Sequence, residues 1–371
     1  MMQVLYVFTF MYSLSTWDES GTLDKELRIF KELYKKKGVE FTFLTYGNEK
    51  DKEFQLEKYG INVIPIFKKV IPKNKFINFI YPIFFILKNR SKFKKYDLIK
   101  QNQLNGVWLS LIMKKILKTP LIVRTGYDTY RFSLYERKSI IKQKIYFKLT
   151  QISLRYSNLF TVTSISDLNF LDNYKVNQYE AKLRKNWVEK FDIKSINKRS
   201  KDKVLSVGRM EYQKNYMRLL EDFQKTDFII DIVGKGSEFG DLKKFVQKNN
   251  INVNFLGKIE NLKLSELYDD YLFFASSSLF EGNPKALLEA MSHGCIPIVS
   301  NIENHREIVE NNFNGYLIND GDSFVKVINS LLTNENKLRS LSENAAKEVV
   351  KNNSLENLVD QTFDDYLDLT I

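Results

Sequence analysis

The chain has 371 residues, 43% apolar and 27% charged, long enough for two packed domains and of ordinary globular composition. One cysteine and two histidines exclude an internal disulfide and a Cys/His zinc site, and no run of about 18 apolar residues offers a membrane-spanning helix. The net charge of +12 is uneven: residues 1–190 hold 35 Lys/Arg against 17 Asp/Glu, and residues 191–371 hold 22 against 28, so the first half suits an anionic surface or partner.

The opening Gln3–Phe10 is apolar but lacks a basic leader and a small-residue cleavage site, so it reads as a buried strand over Val4–Phe10. Leu23–Lys36 has apolar residues at helical spacing, Gly38 stops it, and Val39–Thr45 is the next strand. Lys68–Lys100 carries ten Lys/Arg and one acid, Asp97, around an apolar, aromatic-rich run at Phe76–Leu87. That run is too short to span a bilayer. It fits either a helix lying on an anionic membrane surface or a core helix with a solvated basic face.

Further strands are expected at Leu98–Lys100, Leu121–Arg124 and Leu159–Ser164. Asp192–Asp202 is polar and suits a linker. The rhythm restarts with strands at Lys203–Val207, Phe228–Val233, Asn252–Leu256, Leu272–Ala275 and Ile296–Val299. Alternating strands and helices predict an α/β fold of two Rossmann-like doubly wound lobes facing across a cleft. The expected division is 1–190, then 191–355, with a C-terminal helix over 356–371 packing back on the first lobe. Cys295, in an apolar run before Pro297, reads as a small buried hydrophobe.

The richest stretch is Ser276–Gly294. A strand ends near Ala275, a loop carries Glu281 and Gly282, Asn283 suits an N-cap and Pro284 a first helical position, and Lys285 follows. A helix start of this kind can seat an anion. Glu289 is anomalous, because its helical neighbours Ala286, Leu287, Leu288, Ala290 and Met291 are apolar. Its carboxylate needs donors, supplied either by sugar hydroxyls or by neighbouring backbone. Upstream, Gly208 and Arg209 follow a strand and Lys214 lies five residues on, two cations able to grip a diphosphate. Gly234-Lys235-Gly236 follows another strand but is not a phosphate-binding P-loop.

The paired Glu281 and Glu289, the Gly208–Asn215 run, Lys185–Val188, Glu307–Val309 and Asn314–Leu317 resemble retaining glycosyltransferases of family four, the group 1 transferases. The resemblance implies a GT-B fold with no obligatory metal and no cofactor, and a nucleotide-sugar donor. Arg209 and Lys214 would neutralise the donor diphosphate. Glu281, with backbone amides around Gly282–Lys285, would hold the transferred sugar, and Glu289 the ribose. Gly208 and Gly234 would lie against the donor, as would Gly21 in the loop after the first strand. Members of the family often place a histidine in the first lobe. Here His293 and His305 both lie in the second, and the corresponding place reads Arg124-Thr-Gly-Tyr-Asp128, which makes Asp128 a catalytic candidate.

The resemblance thus implies transfer, with retention, of a sugar to a glycan or lipid-linked acceptor in cell-surface polysaccharide assembly. The expected location is cytoplasmic, peripheral on the inner face of the membrane through Lys68–Lys100. A sugar-nucleotide 2-epimerase and a catalytically silent sugar-binding protein are the alternatives. Nucleic acid is not an expected partner, because the second half is acidic and no binding motif is present.

Overall fold

A computed structural model describes residues 1–370. The chain divides into two compact units. One comprises residues 1–163, 167–184 and the C-terminal segment from Glu356; the other comprises Ser164–Ser166 and Lys185–Leu355. The division falls after Arg184, six residues before the boundary expected from composition.

The first unit holds seven parallel strands: β1 (Gln3–Val7), β2 (Glu40–Thr45), β3 (Ile61–Pro65), β4 (Leu98–Asn102), β5 (Leu121–Arg124), β6 (Leu159–Val162) and β7 (Ala181–Leu183), in the order β3-β2-β1-β4-β5-β6-β7. Central strands are apolar runs because helices cover both faces; Val4, Leu5 and Val7 are fully buried. Its helices are α1 (Leu14–Glu19), α2 (Leu23–Lys37), α3 (Lys75–Lys88), α4 (Arg90–Phe93), α5 (Val107–Leu117), α6 (Thr129–Tyr135), α7 (Ile140–Tyr156) and the greater part of α8 (Ile165–Phe170).

The second unit has six parallel strands: β8 (Ser200–Val207), β9 (Ile229–Val233), β10 (Val253–Gly257), β11 (Tyr271–Ser276), β12 (Ile296–Ser300) and β13 (Tyr316–Ile318), ordered β10-β9-β8-β11-β12-β13. Its helices are α9 (Tyr216–Asp222), α10 (Phe239–Asn249), α11 (Asn261–Tyr268), α12 (Lys285–Ser292), α13 (Glu303–Arg306), α14 (Phe324–Leu332) and α15 (Glu335–Asn353). Successive strand residues serve opposite faces. Phe273 packs with Leu219, Ile230 and Ile328 on one side, and Phe274 with Leu287, Met291 and Val299 on the other. Cys295 belongs to the second cluster, fully buried, and burial pushes its thiol up to about 12. The strand order reverses between β8 and β11. That switch point, at the carboxyl ends of the strands, is where ligands sit in open α/β sheets.

Helix α16 (Leu355–Thr370) runs back over the first unit, and the anchors are charged. Arg184 binds Asp365 in a fork, Nε to Oδ2 at 2.7 Å and Nη2 to Oδ1 at 2.5 Å, and Lys182 Nζ lies 3.3 Å from Asp365. Lys100 Nζ donates to the Tyr366 hydroxyl at 3.1 Å. Burial, reinforced by Arg124 and Arg184 against the pull of Asp365, brings the Lys100 pKa down to about 7.

Candidate functional site

The switch point of the second unit is built from two loops, one leaving β8 and one leaving β11. After β8 the chain passes Gly208 and Arg209 into a single 3-10 turn over Tyr212–Lys214, which Asn215 ends in the left-handed region at φ 48°. After β11 it runs Ser277–Pro284 into α12. The loops are tied mainly through main-chain atoms. Ser277 Oγ donates to the carbonyls of Lys214 (3.1 Å) and Asn215 (2.7 Å), and Leu279 N–H to that of Gln213 (2.8 Å).

These ties bring Lys214 and Glu281 together. Lys214 Nζ lies 2.5 Å from Glu281 Oε1. Ser278 Oγ donates to the same oxygen at 2.7 Å, and Gln213 Nε2 to Oε2 at 3.1 Å. Gln213 is itself held by the Phe280 carbonyl at 2.9 Å. Glu281 is 7% exposed. Burial raises its pKa, but the Lys214 ammonium, with hydrogen bonds from Lys214 and Ser278, outweighs that and holds it below the ordinary carboxylate value. A carboxylate has about four lone-pair positions. Three donors fill three of them, and Lys214 has two N–H groups left for a ligand.

Beside this pair the backbone is tight. Lys214 crosses Gly208, where an added Cβ would lie 2.8 Å from Lys214 Cε. Gly234, at φ +146°, presses on the Gly208 carbonyl, so that a Cβ there would stand 1.9 Å from the oxygen. The Gly-Lys-Gly segment is thus the wall against which the β8 loop is built. Arg209 is exposed, and Glu211 next to it accepts from Ser237 N–H (2.9 Å) and Oγ (2.7 Å). These bonds hold Glu211 below its ordinary pKa.

His305 lies behind the pair. It is fully buried, its Nδ1 is 2.8 Å from the Ser300 carbonyl, and Ser300 Oγ donates to the Ser278 carbonyl at 2.6 Å. Burial lowers its pKa to about 4 against the pull of Glu281, so it is neutral at pH 7. Gln213, Ser278 and His305 complete the surroundings of Glu281, and sequence reasoning gave none of them that part. Gln213 adjoining Lys214, and the Ser276–Ser278 run ahead of Glu281, were the signals present.

Several expected placements differ. The cap of α12 is Pro284, not Asn283, and the helix spans Lys285–Ser292. Asn283 is used elsewhere: its Oδ1 accepts from Asn186 N–H (2.9 Å) and its carbonyl from Asn186 Nδ2 (2.8 Å). Asn353 Nδ2 then donates to the Asn186 carbonyl at 2.7 Å, fastening Lys185–Val188 to the same unit. Gly282 and Pro284 are buried, whereas Lys285 is exposed. Glu289 is half-buried on α12, with the Tyr268 hydroxyl 3.4 Å from Oε2. Glu307 accepts from the backbone N–H of Ile165 (2.8 Å) and Ser166 (2.7 Å), and Asn314 braces the turn into β13 through Glu310 N–H at 2.8 Å.

In the first unit, Asp128 is the N-cap of α6. Oδ1 accepts from Arg131 N–H at 2.7 Å, and the Tyr174 hydroxyl lies 2.8 and 2.7 Å from the two oxygens. It is 2% exposed, and burial raises its pKa against these bonds. The geometry is that of a helix cap whose two carboxylate oxygens both meet donors of the protein. Gly21 does not follow β1 in an open loop. Helix α1, closed by a Ser13/Thr16 capping box, intervenes, and Gly21 makes the α1–α2 turn at φ +69°. Among the described residues no cluster of three or more His, Cys, Asp or Glu is placed to hold a metal ion.

Residues 188–348, nearly the whole second unit, match the family described as glycosyl transferases group 1. This segment is a group 1 glycosyltransferase domain. Two curated relatives extend the likeness across the chain. One is the UDP-Gal:alpha-D-GlcNAc-diphosphoundecaprenol alpha-1,3-galactosyltransferase of Escherichia coli, 29% identical over 76% of this chain and 77% of that protein. The other, from Campylobacter jejuni, is an alpha-1,4-N-acetyl-D-galactosaminyltransferase named for a PP-undecaprenol-linked acceptor, 27% identical over 71% of this chain and 72% of its own. Among solved structures, Anabaena HepE in complex with UDP and glucose superposes with a TM-score of 0.76 over 100% of both chains at 17% identity. The fold of this chain is therefore GT-B, two parallel sheets each flanked by helices.

Proposed function

We propose that this chain is a retaining glycosyltransferase, independent of metal, which moves a sugar from a nucleotide donor to a glycan or lipid-linked acceptor in cell-surface polysaccharide assembly. The observation that supports this best is the Lys214–Glu281 pair at the switch point of a group 1 domain. It presents N–H donors and a carboxylate side by side. A nucleotide sugar carries the complementary pair, a diphosphate anion next to a hydroxyl-bearing ring. Two relatives named for undecaprenol-linked acceptors support the lipid-linked alternative.

In this reading Arg209 and Lys214 grip the diphosphate, Lys214 through its remaining N–H groups and the exposed Arg209 as a fork. Glu281 takes a hydroxyl of the transferred sugar at its remaining lone-pair position, and Glu289 the ribose. As the glycosidic bond breaks, negative charge grows on the leaving diphosphate, where fixed cations stabilise it without reorganisation. Gly208 and Gly234 keep the backbone low enough for a diphosphate to approach. Lys68–Lys100 would bring the first unit to an anionic membrane surface on the cytoplasmic side.

A panel of nucleotide sugars screened for thermal stabilisation tests the donor side, since a ligand at about 100 times its dissociation constant adds about 2.7 kcal/mol. Incubating the stabilising donor with an undecaprenyl-diphosphate glycan should then give a product whose anomeric configuration, read by NMR, matches the donor. An inverted product rejects retention, and loss of activity on chelation rejects metal independence. Donor breakdown or epimerisation with no transfer rejects the transferase reading.

A further inference from the structure

Helix α7 is turned inside out for a helix bathed in water. Its inward side buries Thr150 and Ser153 beside Leu154, while Ile140, Ile141, Ile145, Ile152 and Tyr156 point outward, Ile141 at 73% exposure. Lys142, Lys144, Lys148 and Arg155 are exposed among them. No Asp or Glu occurs from Arg137 to Ser166. A solvent face of isoleucines alternating with cations and free of acids is costly in water and fits the headgroup–acyl boundary of an anionic bilayer.

Topology gives this helix a companion. From β3 onward the strands step in one direction, β4, β5, β6, β7. Right-handed crossovers then place the connecting helices on one face of the sheet, and α5 packs between α3 and α7. Helix α3 shows the same outward chemistry: Phe76 is 71% exposed, Phe84 and Leu87 are exposed, Lys75 and Lys88 flank the run, and no acid occurs from Lys68 to Tyr96. With 14 and 17 residues, these helices are too short to cross a bilayer of about 30 Å. No helix among the described residues is long and apolar enough to do so.

We propose that the outer faces of α7 and α3 form one lipid-docking face, with α7 contributing as much as the basic segment before it. This extends the membrane reading of Lys68–Lys100 and is tested on α7 separately. The full chain is floated with phosphatidylcholine vesicles, with and without phosphatidylglycerol. The expected result is binding that requires phosphatidylglycerol and is lost near 1 M salt, where the screening length is about 3 Å.

Replacing Lys142, Lys144 and Lys148 together with Gln should weaken binding on the order of 100-fold, at about fivefold per cation. The triple Ile141→Ser, Ile145→Ser, Ile152→Ser should weaken it at least as much. Both variants should keep the wild-type melting temperature and donor-induced stabilisation, because the altered side chains are exposed. Wild-type vesicle affinity in both α7 variants overturns the proposal, and loss of binding in a Phe76→Ser, Phe84→Ser variant would then assign docking to α3 alone. Absence of phosphatidylglycerol binding in the unaltered chain overturns both. A concentration-dependent dimer in sedimentation that the isoleucine triple dissolves makes a second copy the occupant and also overturns it. None of these outcomes touches the glycosyltransferase reading, which donor stabilisation reports independently.

Discussion

Replacing Lys214 with methionine should damage the second unit in a way that depends on pH. The substitution keeps much of the stem that covers Gly208 but removes the ammonium 2.5 Å from Glu281. Breaking a buried ion pair costs about 3–5 kcal/mol; the Lys214 side chain is 18% exposed, so the low end, about 3 kcal/mol, is expected. For a unit of this size that is about 6–12 °C in melting temperature.

In the native protein Glu281 titrates below its unfolded value of about 4.3. It therefore contributes stability above that pH, and the contribution is lost as pH falls through the folded pKa. Without Lys214, burial dominates and the folded pKa rises above 4.3, so the carboxylate becomes a cost that grows as pH rises. The gap between wild type and Lys214→Met should therefore be wide near pH 7.5 and narrow near pH 4.5. Adding Glu281→Gln removes the stranded charge and should recover most of the loss at neutral pH. Calorimetric melting of the four proteins at both pH values gives the full cycle. Equal stability of Lys214→Met and wild type at both, or two single effects that add within about 0.5 kcal/mol, would refute the coupling.

Glu281→Ala and Arg209→Ala should each lower turnover by about 100- to 1000-fold in a steady-state transfer assay, and near-normal rates in both reject the site. Asp128→Ala should lower the melting temperature by the loss of a helix cap and of the Tyr174 hydrogen bonds, together about 1–3 kcal/mol. A 100-fold loss of turnover in a variant that remains folded would show a chemical role for Asp128 beyond the cap. Gly234→Ala forces a methyl onto the Gly208 carbonyl and should abolish donor-induced stabilisation. Gly240→Ala, with open space around it in α10, should gain about 0.5–1 kcal/mol, and a loss there would count against the packing described.

The central strands were legible because a parallel strand buried on both faces is written as an apolar run; β5 matches its expected bounds, and β11 and β12 match within a residue. The strands not anticipated, β3, β7 and β13, are edges. Covered on fewer sides, β3 reads Ile-Asn-Val-Ile-Pro and β7 has three half-buried residues. Asn283 looked like a cap because Asn-Pro before a helix often is one. Its actual partner, Asn186, is 97 residues away, and no local pattern carries such a contact. Asp128 is the reverse case: an aspartate ahead of Thr-Tyr-Arg is a readable local cap signal, and Asp128 does cap α6.

The Lys214–Glu281 pair also bears on selectivity. Its two charges compensate each other, so a simple anion arriving at Lys214 must share the ammonium with a carboxylate that gains nothing and is brought closer to like charge. A ligand that places a hydroxyl against Glu281 while its anion meets Lys214 satisfies both. Because the pair is fastened through the carbonyls of Gln213, Lys214, Asn215 and Phe280, it cannot widen at little cost to suit the anion alone. Inorganic diphosphate should therefore bind weakly. The intact nucleotide sugar should stabilise the second unit more than the nucleotide diphosphate does, with the difference lost in Glu281→Gln, whose amide no longer offers the sugar a charged acceptor.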